Sequence, residues 1–179
     1  MALHVRQLRE SDDRRAFRSG HAELDRFFHQ FAGQNQFRLH IGTSYVAVTD
    51  DESLAGFVTV ASCSIEIADV PPRLARRLPT YPIPALRLAR MAVAEGLQRT
   101  GVGGLLMKAV FTIARHQDRR SGCAFVVVDA KAGAGSFYAR YGFEAFPVEA
   151  GELEARPSPV PMFLELGAIP AISAPRPAE

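Results

Sequence analysis

The chain has 179 residues, 47% of them hydrophobic, which is enough for one full core and too few for two comfortable domains. Its formal net charge is only +2, but ten Arg and Lys face two acids from residue 70 to 120, and six Glu face two Arg from residue 144 to the end. A basic middle suits phosphates or nucleic acid, although solvated helix faces or codon composition explain it equally well.

Several protein classes are excluded at this level. The chain has no run of about 18 apolar residues that could span a membrane, and its first residues lack the apolar core of a signal peptide. Its two cysteines have no partner at the spacing of a zinc site or a redox pair, so we expect no metal. We therefore expect a soluble, cytoplasmic protein.

The first half of the chain predicts a strand, a helix and a hairpin. Apolar and polar residues alternate over residues 3–8, as in a half-buried strand. From His21 to about Arg38 apolar residues recur at i, i+3, i+4 and i+7, which is one face of an amphipathic helix. Its inward positions are Leu24, Phe27, Phe28 and Phe31. Two apolar, β-branched runs at 44–48 and 54–65, separated by a polar turn, predict an antiparallel hairpin.

The second half predicts a βαβ unit. Proline-rich residues 69–84 predict a loop with one or two turns of helix. A strand from Ala85 to about Val93, a glycine-rich bend, a helix from about Gly101 to Gln117 and an apolar run at 123–129 then form two parallel strands with a helical crossover. A short helix at 132–141 ending at Gly142, a strand at 143–148 and a last strand near 160–166 come next. We predict a single domain over residues 1–166 and a flexible Pro- and Ala-rich tail over 167–179.

The glycine-rich bend before the predicted crossover helix suits an anion, because the first turn of a helix leaves backbone N–H groups unpaired. A nucleotide-binding P-loop needs a Lys and a Ser or Thr, yet Gly-Leu-Leu follows Gly103. A dinucleotide-binding loop needs Gly or Ala where this chain has Leu106. A third design, Q/R-x-x-G-x-G/A, fits residues 98–103, Gln-Arg-Thr-Gly-Val-Gly.

This third motif resembles the pyrophosphate loop of the GNAT acyltransferases. Residues 88–93, 127–131 and Phe137-Tyr-Ala-Arg-Tyr-Gly-Phe143 resemble GNAT segments in the expected order. Residues 19–27 and 44–48 are similar to the GNAT toxins of toxin–antitoxin modules, which transfer acetyl from acetyl-CoA to the amine of aminoacyl-tRNA. The match covers roughly residues 5–165 and implies an α/β GNAT fold: a mixed, mostly antiparallel sheet of six to seven strands, flanked by helices, with a βαβ unit for acetyl-CoA.

The resemblance also implies which residues bind acetyl-CoA. On the strand before the loop, backbone groups of Met91, Ala92 and Val93 would pair with the pantetheine arm as an extra strand does. The loop residues that would surround the pyrophosphate are Gln98, Arg99, Thr100, Gly101, Val102, Gly103 and Gly104. The Arg99 side chain either adds a charge-assisted contact or is solvated.

Tyr138 is the predicted catalytic residue, as donor of the proton that the leaving thiolate needs, because a phenol with a pKa of about 10 is protonated at neutral pH. The alternative is a tyrosine packed on Phe137 with its hydroxyl satisfied, and Tyr141 is the better candidate for that packing role. Many GNAT enzymes place a Glu on the strand before the loop, but no acid lies between Leu86 and Val93. This mildly favours an α-amine, with a pKa of about 8, over lysine at about 10.4.

Basic residues near the predicted strand and loop are the feature that favours tRNA as the acceptor. The nucleic-acid-binding candidates are Arg73, Arg76, Arg77, Arg87 and Arg90, with Arg26 and Arg38 as further candidates. Such residues would contact phosphates without reading sequence, although Arg90 could equally face solvent.

Three functions stay open on the sequence alone. The first is a tRNA-acetylating toxin, for which the resemblance further implies a small antitoxin of the ribbon-helix-helix type and a homodimer. The second is a GNAT enzyme acting on a small amine or a protein N-terminus. The third is a GNAT-fold protein that binds CoA without turnover.

Overall fold

A single seven-stranded sheet organises the computed structural model, which describes residues 2–147 and 159–169. The strands are β1 (Leu3–Gln7), β2 (Thr43–Thr49), β3 (Leu54–Ile65), β4 (Ile83–Val93), β5 (Phe125–Ala130), β6 (Glu144–Ala145) and β7 (Val160–Glu165). Their spatial order is β1-β2-β3-β4-β5-β7-β6, and only the β4–β5 pair is parallel. The fold class, the hairpin and the βαβ unit are thereby confirmed.

Helices cover both faces of this sheet. They are α1 (Ala22–Arg26), α2 (Ala32–Phe37), α3 (Pro72–Ala75), α4 (Val102–Ser121) and α5 (Gly135–Ala139), with a π-helical turn (Phe27–Phe31) joining α1 to α2. The crossover helix α4 packs its apolar stripe on one face, where Leu106 and Val110 are fully buried. The opposite face is covered by α1–α2 around Phe57 and by α3 around Leu74. None of the helices in the described ranges is long and apolar enough to cross a bilayer.

The buried stripe of the first helix departs from the prediction at one residue. Leu24 and Phe28 are buried, but Phe31 is 39% exposed, with the Arg26 guanidinium 5.9 Å from its ring centre. The reason is the π-helical turn, which adds a residue to one turn and rotates the next residues around the helix axis. Ala32, at 1% exposure, takes the inward place that the 3.6-residue period assigns to Phe31.

The C-terminal elements also differ from the prediction. Helix α5 is only five residues long, and β6 has two residues. Val148, where that strand was predicted to end, lies outside the described residues, as does the tail from residue 170 onward. Ile169, predicted to belong to the tail, is 3% exposed and its carbonyl accepts a hydrogen bond from Arg115. The packed domain therefore extends past residue 166.

Two phenylalanines of the first helix allow a test of this packing. The Phe28 ring stacks on Phe57 with centroids 4.2 Å apart, and both side chains are fully buried. We expect Phe28→Ala to lower the free energy of unfolding by about 3–5 kcal/mol. Phe31→Ala removes a partly exposed ring and its Arg26 contact, so it should lower this free energy by only about 1 kcal/mol. Urea unfolding of both variants measures the difference, and equal losses would contradict the π-shifted stripe.

Candidate functional site

A gap between β4 and β5 brings together Tyr138 and most of the residues predicted to bind acetyl-CoA. The two strands pair only from Ala85 with Phe125 to Leu88 with Val128, although β4 runs on to Val93. The pairing of β4 with β3 shifts register at the same place, which leaves Ala89 as a bulge. Bulges bend a strand and increase its twist, so β4 turns away from β5. The resulting cavity has a volume of about 700 Å³.

The free edge of β4 lines this gap. Met91, Ala92 and Val93 all contribute to its wall, while their other edge pairs with β3. A strand that is hydrogen-bonded to a neighbour along only one edge has N–H and C=O groups on its other edge that can pair with an extended ligand. An arm that carries amides, such as pantetheine, fits this edge.

The glycine loop closes one end of the gap. Gly101 caps α4 with φ +98°, a left-handed conformation that favours glycine. The first hydrogen bond of α4 runs from the Leu105 N–H to the Gly101 carbonyl at 3.1 Å. The N–H groups of residues 102–104 therefore have no acceptor within the helix. Within the described residues no side chain caps this helix end. With the positive end of the α4 dipole, these N–H groups fit a pyrophosphate.

Two aromatic residues explain why glycine stands at the next positions of the loop. A Cβ at Gly103 would lie 3.3 Å from the Phe137 ring, and one at Gly104 would lie 3.2 Å from the Tyr141 hydroxyl. Both aromatic residues also line the gap. The loop is thus closely packed against α5 and the residues just after it, and a Cβ at either position would require the facing aromatic side chain to move by a few tenths of an ångström.

The remaining loop residues divide between the gap and the scaffold. Gln98 lines the gap, and its amide donates to the carbonyls of Ser19 at 2.8 Å and Val93 at 3.3 Å, which ties the loop to β4. Arg99 also lines the gap and has a positive φ of 64°. Thr100 instead donates to the Leu97 carbonyl, and the Val102 side chain is fully buried in the core. Neither residue lines the gap, and the Thr100 N–H also donates to the Leu97 carbonyl, at 3.4 Å.

Tyr138 on α5 faces the same gap. Its side chain is 6% exposed, and burial raises the pKa of Tyr138 to about 12. The ring packs edge-on against Phe137 and Phe143. In the described part of the chain its hydroxyl makes no hydrogen bond. The Tyr138 ring is therefore held in an apolar pocket at the edge of the gap, where its phenol is protonated and its O–H group has no hydrogen-bond acceptor among the described residues.

One acid at the gap escapes prediction from the sequence. Glu95 lies beside Gly20 and lines a different cavity, and β4 carries no acid between Leu86 and Val93. The acid that the gap does contain is Asp129, at the end of β5, held 2.8 Å from the Arg87 guanidinium. Other gap-lining side chains to which the sequence analysis gives no role in this cavity are His21, Leu24, Lys131 and Arg140. They lie within the segments 19–27, 127–131 and 137–143 that resemble GNAT proteins, which is the signal that could have indicated them.

The predicted nucleic-acid arginines are not brought together in one patch. Arg90 lines the gap, with its guanidinium 5.4 Å from the Phe27 ring centre. Arg76 is exposed and makes no ion pair with any residue that the structure describes. The other three are ion-paired: Arg73 with Glu144, Arg77 with Glu165 and Arg87 with Asp129. The further candidates are also exposed, Arg26 at the end of α1 and Arg38 just after α2.

Comparison with known proteins gives a consistent result. Residues 16–166 match the family model for the acetyltransferase (GNAT) domain. A tRNA-acetylating toxin of Mycobacterium tuberculosis (strain ATCC 25618 / H37Rv) is 32% identical over 146 residues, which are 80% of this chain and 86% of the relative.

Solved structures show the same fold. AtaT complexed with acetyl-methionyl-tRNAfMet has a TM-score of 0.80 at 21% identity and covers 93% of this chain and 96% of its own. A mutant AtaT toxin bound to the C-terminus of the antitoxin AtaR and acetyl-CoA has a TM-score of 0.71 at 19% identity, with 93% and 94% covered.

Proposed function

This chain belongs to the GNAT acetyltransferase family, and from that premise we propose that it is a toxin that acetylates the α-amine of aminoacyl-tRNA and so blocks translation. The observation that carries the proposal is the Tyr138 hydroxyl, which faces the gap as a protonated donor with no acceptor among the described residues. A tyrosine that only packed would be expected to satisfy its hydroxyl. The 32% identical tRNA-acetylating toxin supports the substrate class.

Acetyl-CoA is the co-substrate, and it supplies the acetyl group as an activated thioester. The amides at the start of α4 would bind its pyrophosphate, and the free edge of β4 at Met91–Val93 would pair with its pantetheine arm. Arg99, whose side chain is exposed at the gap, would add a charge-assisted contact. Gln98 holds the loop against β4 and so positions both parts of this site.

Tyr138 would act on the leaving group. As the amine nitrogen forms a bond to the acetyl carbon and the carbon–sulfur bond breaks, the phenol donates its proton to the departing sulfur and regains one from water. The nitrogen releases its surplus proton to solvent. The raised pKa keeps the phenol protonated at neutral pH but makes it a weaker acid, so the proton moves only as charge develops on the sulfur.

The acceptor amine must be neutral when it attacks. No acid on β4 stands ready as a general base, and an α-amine with a pKa of about 8 is partly neutral without one. An aminoacyl ester therefore suits the site better than a lysine side chain, as the sequence already indicates.

Arg90 is the strongest candidate for a contact with tRNA phosphates. It stands at the gap, whereas Arg73, Arg77 and Arg87 have acidic partners that compete with a phosphate. Arg76 remains a candidate because it is exposed and makes no ion pair within the described ranges.

This difference between the arginines can be measured. We expect Arg90→Gln to weaken binding of tRNA and to lower the slope of log K against log salt by about one, since one phosphate contact is lost. Arg73→Gln should change the slope less, because its guanidinium already pairs with Glu144. Fluorescence anisotropy with labelled tRNA at several salt concentrations gives both slopes. Equal slopes for Arg90→Gln and the unmodified protein would remove Arg90 from the interface.

Three further parts of the proposal concern partners and location. A small antitoxin of the ribbon-helix-helix type would neutralise the toxin; the AtaT toxin bound to the C-terminus of its antitoxin AtaR supports the existence of such a partner. The active protein would be a homodimer. Because aminoacyl-tRNA is consumed in translation, the protein would act in the cytoplasm.

The proposed function is tested by incubating the protein with charged tRNA and labelled acetyl-CoA. We expect label on the aminoacyl end, and growth arrest when the protein is expressed without an antitoxin. Label found only on a small amine or a peptide N-terminus would instead establish a different GNAT substrate. Binding of acetyl-CoA without transfer to any acceptor would identify a module without turnover.

A further inference from the structure

The charges that line the gap are unevenly distributed. Asp129 is the single acid among the described residues that line it, whereas Arg90, Arg99, Lys131 and Arg140 contribute positive charge. Lys131 also pairs with Glu23 of α1 at 3.1 Å. A ligand complementary to this arrangement is negatively charged over most of its length and carries one positive or hydrogen-donating group.

Asp129 lies where the gap begins. It follows Val128, the last residue of β5 that pairs with β4. Side chains alternate between the two faces of a strand, so Asp129 lies on the same face of the sheet as Phe125 and Val127. Helix α3 covers that face. Tyr138 belongs to the cluster under α4, on the opposite face. The carboxylate and the phenol therefore border the gap from opposite faces of the sheet.

The Asp129 carboxylate is held but not saturated. Arg87, on the same face of β4, donates from Nη1 to Oδ2 at 2.8 Å. The other oxygen, Oδ1, has no hydrogen-bond partner among the residues that the structure describes, and the side chain is 56% exposed. One oxygen thus fixes the orientation of the group while the other stays available to a ligand in the gap.

We infer that Asp129 binds the α-amino group of the acceptor, with Arg87 as the residue that positions the carboxylate. The inference rests on the proposed function, whose acceptor site it specifies. The ammonium is attracted to Asp129 as an ion; once neutral, the amine donates an N–H to Oδ1 and keeps its lone pair for the acetyl carbon. Arg90, which lines the gap, then binds a phosphate that flanks the amine. The acceptor class is an α-amine linked to a polyanion, as at the aminoacyl end of a nucleic acid.

Steady-state kinetics of Asp129→Asn tests this assignment. Loss of a charge-assisted hydrogen bond should raise the KM for charged tRNA about tenfold or more, while the KM for acetyl-CoA changes less than about twofold. Uncharged tRNA, which lacks the amine, should inhibit this variant at least as well as the unmodified protein. Asp118→Asn, an equal change of charge at an exposed position near the end of α4, is the matched control and should leave all three constants unchanged.

The positioning role of Arg87 gives a second measurement. Arg87→Met should raise the acceptor KM in the same direction but less than Asp129→Asn, and Arg87→Lys should restore most of the loss because it keeps a cation beside the carboxylate. An unchanged acceptor KM in Asp129→Asn, or weaker inhibition by uncharged tRNA, would overturn the inference.

A small acceptor separates this inference from the proposed function. The same variants are compared with an amino-acid methyl ester, which has the α-amine but no polyanion. If the unmodified protein acetylates the ester and not charged tRNA, the toxin proposal fails, and the ester KM still decides the role of Asp129. If it acetylates charged tRNA while Asp129→Asn keeps the acceptor KM, the function stands and the amine site lies elsewhere.

Discussion

Replacement of Tyr138 by Phe lowers kcat for acetyl transfer by about 100-fold to 10,000-fold, the range that a positioned proton donor contributes. The ring is buried against Phe137 and Phe143, so the variant keeps its packing and loses only the hydroxyl. The KM for acetyl-CoA should change little, because the proposed donor would act on the sulfur only as it leaves. Rapid-quench or steady-state measurements with labelled acetyl-CoA give the rate, and expression of the variant should no longer arrest growth.

A control variant and a pH profile separate loss of the proton donor from a general effect of removing a tyrosine hydroxyl. Tyr45→Phe removes the same atom from β2, where the hydroxyl accepts a hydrogen bond from Gln7 at 3.4 Å and has no other hydrogen-bond partner among the residues that the structure describes, and it should leave the rate unchanged. Because burial raises the pKa of Tyr138 to about 12, the rate of the unmodified protein should rise as the amine loses its proton and should not fall again below about pH 10. Near-normal turnover by Tyr138→Phe would remove the residue from the mechanism.

An aspartate in place of Gly103 should strongly weaken binding of acetyl-CoA. Its Cβ would meet the Phe137 ring at 3.3 Å, and its carboxylate would stand at the helix start where we place the pyrophosphate. We expect the dissociation constant to rise about 100-fold, equivalent to about 2.7 kcal/mol. Isothermal titration calorimetry with acetyl-CoA measures the change.

Gly96→Asp is the matched control for this substitution. It adds the same charge in the turn before the loop, at a position where a Cβ meets nothing within 4 Å and which does not line the gap. Its affinity for acetyl-CoA should stay within about twofold of that of the unmodified protein. Equal loss in both variants would mean that added negative charge near α4, rather than occupation of the loop, weakens binding.

Sequence periodicity and motif spacing were sufficient for most of the scaffold. The period-two runs and the crossover helix are set by local hydrophobic patterns, and the loop motif located the start of α4 within a residue. The first helix marks the limit of this reasoning: a π-helical turn depends on the packing of the whole helix and changes the register, so Phe31 is exposed where the 3.6-residue period places it inside.

The candidate site was predictable only where it is contiguous in sequence. The loop and Tyr138 each belong to short motifs, and both reach the gap. Asp129 reaches it because β4 bulges at Ala89 and separates from β5, which is a property of the sheet and not of either segment. The acidic partners of Arg73 and Arg77 lie 71 and 88 positions away in the sequence. Local sequence patterns therefore cannot show that these two arginines are ion-paired.

The separation of β4 from β5 also links the stability of the fold to the concentration of the ligand that binds there. A sheet with an open seam in its middle lacks the backbone bonds that a neighbouring strand would provide. A co-substrate that completes the seam binds the folded chain and not the unfolded one, and it adds RT ln(1 + [L]/Kd) to the free energy of unfolding, about 2.7 kcal/mol when its concentration is 100 times Kd. If acetyl-CoA binds in this gap, as we propose, the resistance of this protein to unfolding, and hence to proteolysis, rises with the concentration of acetyl-CoA.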